Sequence, residues 1–272
     1  MAELYKDSLL RNTPSPRIIF IGGSNLVFGI NGFMIKEELE FNTINTGISA
    51  AIGLQHAFKH TLPFIKENDI VILIPEYHHF VRNWNDGSRE LLSLCLDINR
   101  DNIKYLSIEQ IISLLPYMPE YSFRKLQPNQ YNEARTESAA FTLHSFDCWG
   151  GTRDSLIGKK QDFLVFEVSG NYNESVVDEI KKFEKKVDNK GAKMFISYPA
   201  YEKESFKKWC KIINKVQRDI EQNNFQVFGT PERYMMPDSL MFDTPYHCNR
   251  KGVEYITNLR IEDIKNSLSV NY

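Results

Sequence analysis

Asp69–Ile74 reads DIVILI, an apolar run without polar alternation. A strand with one wet face alternates, whereas a strand covered on both faces does not. The run therefore predicts a central strand of a parallel sheet sandwiched between helices. Arg17–Ile21 makes the same prediction, and Gly22-Gly23 stops it abruptly, because two glycines permit a tight turn without Cβ clashes. Further strands are predicted at Phe41–Asn45, Ala192–Ser197 and Phe225–Phe228, with Asp162–Val168 as a strand or extended edge segment. Helical spacing marks Phe28–Leu39, Ala50–Lys66, Glu174–Asn189, Lys203–Gln222 and a final helix after Asn249. Strands alternating with helices in this way imply a parallel sheet with helices on both faces.

The remainder is less regular. Residues 1–16 read as a short leader with one helical turn, closed by Pro14 and Pro16. The pattern weakens over about residues 84–160, with helices only at Arg89–Asn99 and Ser107–Leu115. That stretch reads as a binding insertion in one domain spanning 1–272, not as a second domain.

Composition excludes several classes. At 42% apolar and 25% charged, 272 residues can bury a real core. A formal charge of −2 offers no field for nucleic acid, so no nucleic-acid partner is expected. Cys95, Cys148, Cys210 and Cys248 form no CxxC pair and no convincing disulfide framework. The N-terminus lacks the apolar core of a signal peptide, and no run approaches the ~20 residues of a membrane span. A cytoplasmic location is the expectation.

Candidate chemistry gathers at strand ends. Ser24 follows the Gly22-Gly23 turn, at the sheet edge where ligands of open α/β sheets bind. It reads equally as a nucleophile facing backbone N–H groups or as a cap of the next helix. In the loop before the last helix, Asp243 and His247 sit on a Pro-containing turn, where a carboxylate would fix the tautomer of an imidazole base. His56 and His60 are spaced for joint metal binding but fall on the polar side of the 50–66 helix, so they read as solvated. His78-His79 lacks an acidic or thiolate partner at ligand spacing, and no metal is expected. A nucleotide phosphate site after the first strand is disfavoured, because GxGxxG and GxxxxGK[ST] are both absent.

Taken in order, GGSN at 22–25, NTGIS at 45–49 and DTPYHCNRKG at 243–252 resemble the motif blocks of the SGNH, or GDSL-like, hydrolase family. The resemblance implies a flavodoxin-like, three-layer α/β/α fold with about five strands, near the average sheet size of ~5–6. It implies Ser24 as nucleophile, His247 as base then acid, Asp243 as its orienting partner, and no cofactor. The backbone N–H groups of Ser24 and Gly47 would form the oxyanion hole. The family's third-block asparagine is missing: the segment is Pro75-Glu76-Tyr77-His78-His79, leaving Tyr77, His78 or His79 as substitutes. One missing oxyanion donor costs ~10²–10³ in rate. Asp243 and His247 also stand one residue further apart than is common, an arrangement similar to a bacterial subgroup associated with cell-surface glycan modification. Asn25, His79 and Trp149 are candidate substrate contacts, with His144 and Asp147 beside Trp149 in the insertion. The implied function is an esterase on acyl esters, O-acetyl groups of carbohydrates being one such substrate. An O-acyltransferase using the same triad, or a degenerate binding or scaffold protein, remains open.

Overall fold

The computed structural model describes residues 2–127, 145–153, 163–164, 168 and 170–270. His144 and most of Asp162–Val168 lie outside the described residues, as does much of the second half of the insertion.

Five strands form one parallel sheet: β1 (Arg17–Gly22), β2 (Asn42–Asn45), β3 (Ile70–Ile74), β4 (Lys193–Ser197) and β6 (Val227–Phe228), in the order β2-β1-β3-β4-β6. Their side chains divide by parity. Ile18, Phe20, Ile70, Ile72 and Ile74 enter one apolar layer with Phe195 and Phe228; Ile19, Ile21, Val71 and Leu73 enter the other. The absence of polar alternation in DIVILI follows directly, since both faces of β3 are dry. The first layer is closed by α3 (Gly32–Leu39) and α10 (Arg250–Val270), through Ile35, Ile261 and Ile264. The second is closed by α1 (Ala2–Asn12), α4 (Leu54–Thr61), α8 (Ser175–Asp188) and α9 (Lys203–Gln222), through residues such as Leu10, Phe58, Phe183 and Ile213. The fold is a three-layer α/β/α sandwich with flavodoxin-like strand order. A two-stranded parallel pair, β5 (Tyr201–Glu202) with β7 (Met235–Met236), stands apart from it.

Three local expectations need correction. Residues 1–16 are no mere leader: α1 runs eleven residues and buries Glu3, Lys6 and Leu10. The helix expected over Ala50–Lys66 is three pieces, 3₁₀ at Ala50–Ile52, α4, and 3₁₀ at Leu62–Phe64, because Gly53 at φ 88° breaks the helical path. Phe28–Leu39 is helical only from Gly32, where the Asn31 side chain accepts the Met34 N–H at 3.2 Å.

The insertion supplies short α5 (Arg89–Ser93) running into a π turn at Leu94–Ile98, then α6 (Ile108–Leu114) and α7 (Met118–Lys125). Leu91, Leu92, Cys95 and Leu114 make a satellite apolar cluster that Ile52 joins from the main body. No helix among the described residues is long and apolar enough to cross a membrane.

Candidate active site

The sheet order reverses at β1, since β2 lies on one side of it and β3 on the other. Chain segments leaving β1 and β3 therefore diverge and open a crevice at the strands' C-terminal ends. Ser24 sits there as the first residue of α2 (Ser24–Val27), a single turn whose N-cap is Gly23. Ser24 is not the cap of this turn, because Gly23 holds the N-cap position and the Ser24 hydroxyl pairs with His247 instead. Close approach explains Gly23: a Cβ there would lie 2.5 Å from Glu76 Oε1 and 2.8 Å from the Ala50 side chain.

The structure brings Ser24, His247 and Asp243 into one line. Ser24 Oγ is 2.8 Å from His247 Nε2, and His247 Nδ1 is 2.7 Å from Asp243 Oδ1. With Nδ1–H donating to the carboxylate, Nε2 carries the lone pair and accepts the Ser24 hydroxyl proton. The loop is fixed from several sides. Thr244 Oγ1 accepts the Tyr246 and His247 N–H groups, and the His247 carbonyl accepts the Phe242 N–H at 2.8 Å. The Phe28 ring stacks on the imidazole at 4.2 Å between centroids. His247 and Asp243 side chains keep 12% and 23% of their exposure, so the pair is accessible but mostly shielded. A cleft of about 410 Å³ opens over Ser24 and His247, bordered by Ser49, Ala50, His78, Arg82 and Tyr246. That volume is in the range of small-molecule sites.

The third-strand segment holds the residue that sequence reasoning passed over. Glu76, immediately after β3, is 3% exposed. Its Oε1 accepts the Asn25 N–H at 3.1 Å and lies 3.4 Å from Ser24 Oγ. Burial pushes its carboxyl up from the ordinary carboxylate range, and the nearby His247 charge and the Ser24 and Asn25 donors only partly oppose this. A charged residue directly after a buried strand, at the same edge as Ser24, was the available signal.

The expected oxyanion donors are differently placed. Gly47 is beside the site, its backbone packed against the Gly23 carbonyl, but its N–H donates to Asn45 Oδ1 at 3.0 Å. The Ser24 N–H acts on the Glu76 carboxylate. Tyr77 is fully buried and gives its N–H to the Tyr246 hydroxyl at 3.1 Å, so its side chain does not reach the cleft. His78 does border the cleft, with Nδ1 3.5 Å from Glu76 Oε2, and burial holds its pKa well below the usual imidazole value.

The candidate substrate contacts are not brought to the cleft. Asn25 is buried, its side chain accepting the Gly23 N–H and donating to the Ile74 carbonyl. His79 is buried between the Glu76 N–H and the Ala50 carbonyl. Trp149 packs on Gly32, while its carbonyl accepts the Asn45 N–H. Asp147 closes its own loop by accepting the Trp149 and Gly151 N–H groups. These side chains are occupied by structure.

His56 and His60 are likewise not solvated. They are 3% and 8% exposed, because α1 lies over the face of α4 that looks polar in isolation.

No family model matches the chain, and no curated protein does. Among solved structures, protein YxiM of Bacillus subtilis is similar over 93% of this chain at 14% identity, with a TM-score of 0.43. The chain spans 57% of that protein's length.

Proposed function

We propose that this protein is a serine esterase or O-acyltransferase of the SGNH type, working through an acyl group carried on Ser24. The observation that carries the reading is the unbroken Ser24–His247–Asp243 line at the β1 edge, open to a cleft. His247 Nε2 takes the Ser24 proton as Oγ attacks an ester carbonyl. The imidazolium, held by Asp243, then protonates the departing alcohol. Water, or a sugar hydroxyl in a transferase, attacks the acyl-Ser24 ester with His247 again as base, which regenerates the hydroxyl. No metal or organic cofactor takes part in these steps.

The developing oxyanion must share the space beside Ser24 with Glu76. A neutral Glu76 adds an O–H donor to the Ser24 and Asn25 N–H groups, whereas an ionised one repels the oxyanion. A second reading, a binding module of the same fold, is favoured by two expected oxyanion donors that already have acceptors, the Ser24 N–H on the Glu76 carboxylate and the Gly47 N–H on Asn45 Oδ1.

The experiment is turnover of p-nitrophenyl acetate by wild type and Ser24→Ala, with mass spectrometry after fluorophosphonate treatment. Turnover lost in the variant and a single adduct on Ser24 are expected. Equal rates and no adduct, also with a sugar acceptor present, would leave the binding module as the better reading.

A further inference from the structure

Away from the cleft, α1 and α4 face each other with matched pairs one helical turn apart, Glu3 and Asp7 against His56 and His60. Glu3, Asp7 and His60 each offer one ligand atom, and the three atoms lie within 4.8 Å of one another. Carboxylates and imidazole buried this deeply are paired or bind metals.

Both carboxylates are ion-paired with the imidazoles, yet not every polar atom is hydrogen-bonded. Asp7 Oδ1 faces His60 Nε2 at 2.9 Å as an ion pair without an aligned hydrogen bond, and His56 Nδ1, on a side chain 4% exposed, has no hydrogen-bond partner. Glu3 is braced from behind, with Oε1 accepting from Asn102 Nδ2 at 2.6 Å and Oε2 3.3 Å from His56 Nε2. Such outer partners orient metal-binding carboxylates. The Tyr105 ring meets both imidazoles in T-shaped contacts, supplying an apolar wall. A small cavity of about 40 Å³ adjoins the cluster, bordered by Glu3, His56 and His60 though not by Asp7, with room for a bound water.

We propose that Glu3, Asp7 and His60 form a binding site for one divalent transition-metal ion of the zinc type, with His56 and Asn102 as its outer partners. One imidazole and two carboxylates are a borderline nitrogen and oxygen donor set, which suits zinc better than magnesium or calcium. Tetrahedral bonds of ~2.0–2.1 Å place ligand atoms roughly 3.3 Å apart, and His60 Nε2 stands 2.9 Å from Asp7 Oδ1 and 4.0 Å from Glu3 Oε1, so the first pair opens slightly and the second closes on the ion. Water completes the shell. The ion would tie α1 to α4, a staple independent of the serine chemistry.

The test uses the full chain, dialysed against EDTA, desalted and titrated with zinc chloride by calorimetry, with metal content measured after a second desalting. Wild type is expected to retain one equivalent and to melt roughly 5 °C or more higher with zinc than without. His60→Gln and Asp7→Asn should each weaken binding at least about 100-fold, and His56→Gln by ~10–100-fold. His247→Ala, at the other site, should bind as wild type. Two carboxylate-side variants, Glu3→Gln and Asp7→Asn, serve if His60→Gln does not fold. Retention of less than a tenth of an equivalent by wild type overturns the proposal. So does unchanged binding by the cluster variants, or loss of binding in His247→Ala alone.

Discussion

Asp243→Asn separates the charge of the carboxylate from its role as an acceptor. Asp243 Oδ1 lies 2.7 Å from His247 Nδ1. At an effective dielectric of about 20, a full imidazolium–carboxylate pair at that separation is worth roughly 6 kcal/mol. Both side chains keep contact with solvent, which reduces the useful part to about 2–3 kcal/mol, or ~10² in rate. The amide adds a second loss. Its N–H group facing Nδ1 forces the ring proton onto Nε2, which then has no lone pair for a Ser24 hydroxyl 2.8 Å away. The two effects together come to about 10⁴. Asp243→Ala removes the charge but imposes no tautomer, so it should retain more activity than Asp243→Asn. The assay is the rate of Ser24 labelling by a fluorophosphonate probe at pH 7.5, with melting curves to show that each variant is folded. If Asp243→Asn labels within about 5-fold of wild type, or outpaces Asp243→Ala, the tautomer argument is refuted.

Glu76→Gln keeps an acceptor for the Asn25 N–H and removes the ionisable group 3.4 Å from Ser24 Oγ. Its pH–rate profile should extend to higher pH than that of wild type, whose raised Glu76 pKa adds a descending limb as the carboxyl ionises; superimposable profiles would contradict this. His79, whose pKa burial lowers from 6.5 to about 4, contributes stability that is complete above pH 6.5 and is lost as pH falls toward 4. The wild type should therefore lose about 3 kcal/mol more than His79→Gln between pH 7.5 and 4 in urea unfolding, and parallel losses would count against the buried neutral imidazole. The Arg17–Asp69 pair is 0% exposed on both sides, with Nε to Oδ1 and Nη2 to Oδ2 each 2.9 Å. Asp69→Asn strands the guanidinium and should cost ~3–5 kcal/mol in the same assay, while a cost below about 1 kcal/mol would show the pair to be dispensable.

The sheet was legible because burial on both faces leaves a direct trace in composition: β1 and β3 could hardly be anything else. Ser24 was legible for a related reason, since Gly22-Gly23 ends a buried strand where the chain must turn under tight contact. The histidines of α4 were misread because a helix's polar face says nothing about what lies over it. Glu3 and Asp7, far away in sequence, supply a polar covering that makes burial tolerable. The oxyanion region was only half legible. That Gly47 approaches Gly23 is a backbone matter, but the loss of its N–H to Asn45 Oδ1 depends on a neighbouring side chain's rotamer. Asn25 and His79 looked like substrate contacts by position, yet each spends its polar atoms on main-chain groups of the turn it occupies.

Ser24 and His247 are 223 residues apart in the chain. During synthesis the serine therefore leaves the ribosome long before its base exists, and it spends that interval as an ordinary hydroxyl. On the proposed mechanism, a chain stalled before the last helix carries an intact Ser24 that lacks the base for attack on an ester. If that mechanism holds, labelling of Ser24 reports completed folding of both ends at once, and an activity-based probe would count finished molecules and pass over stalled chains.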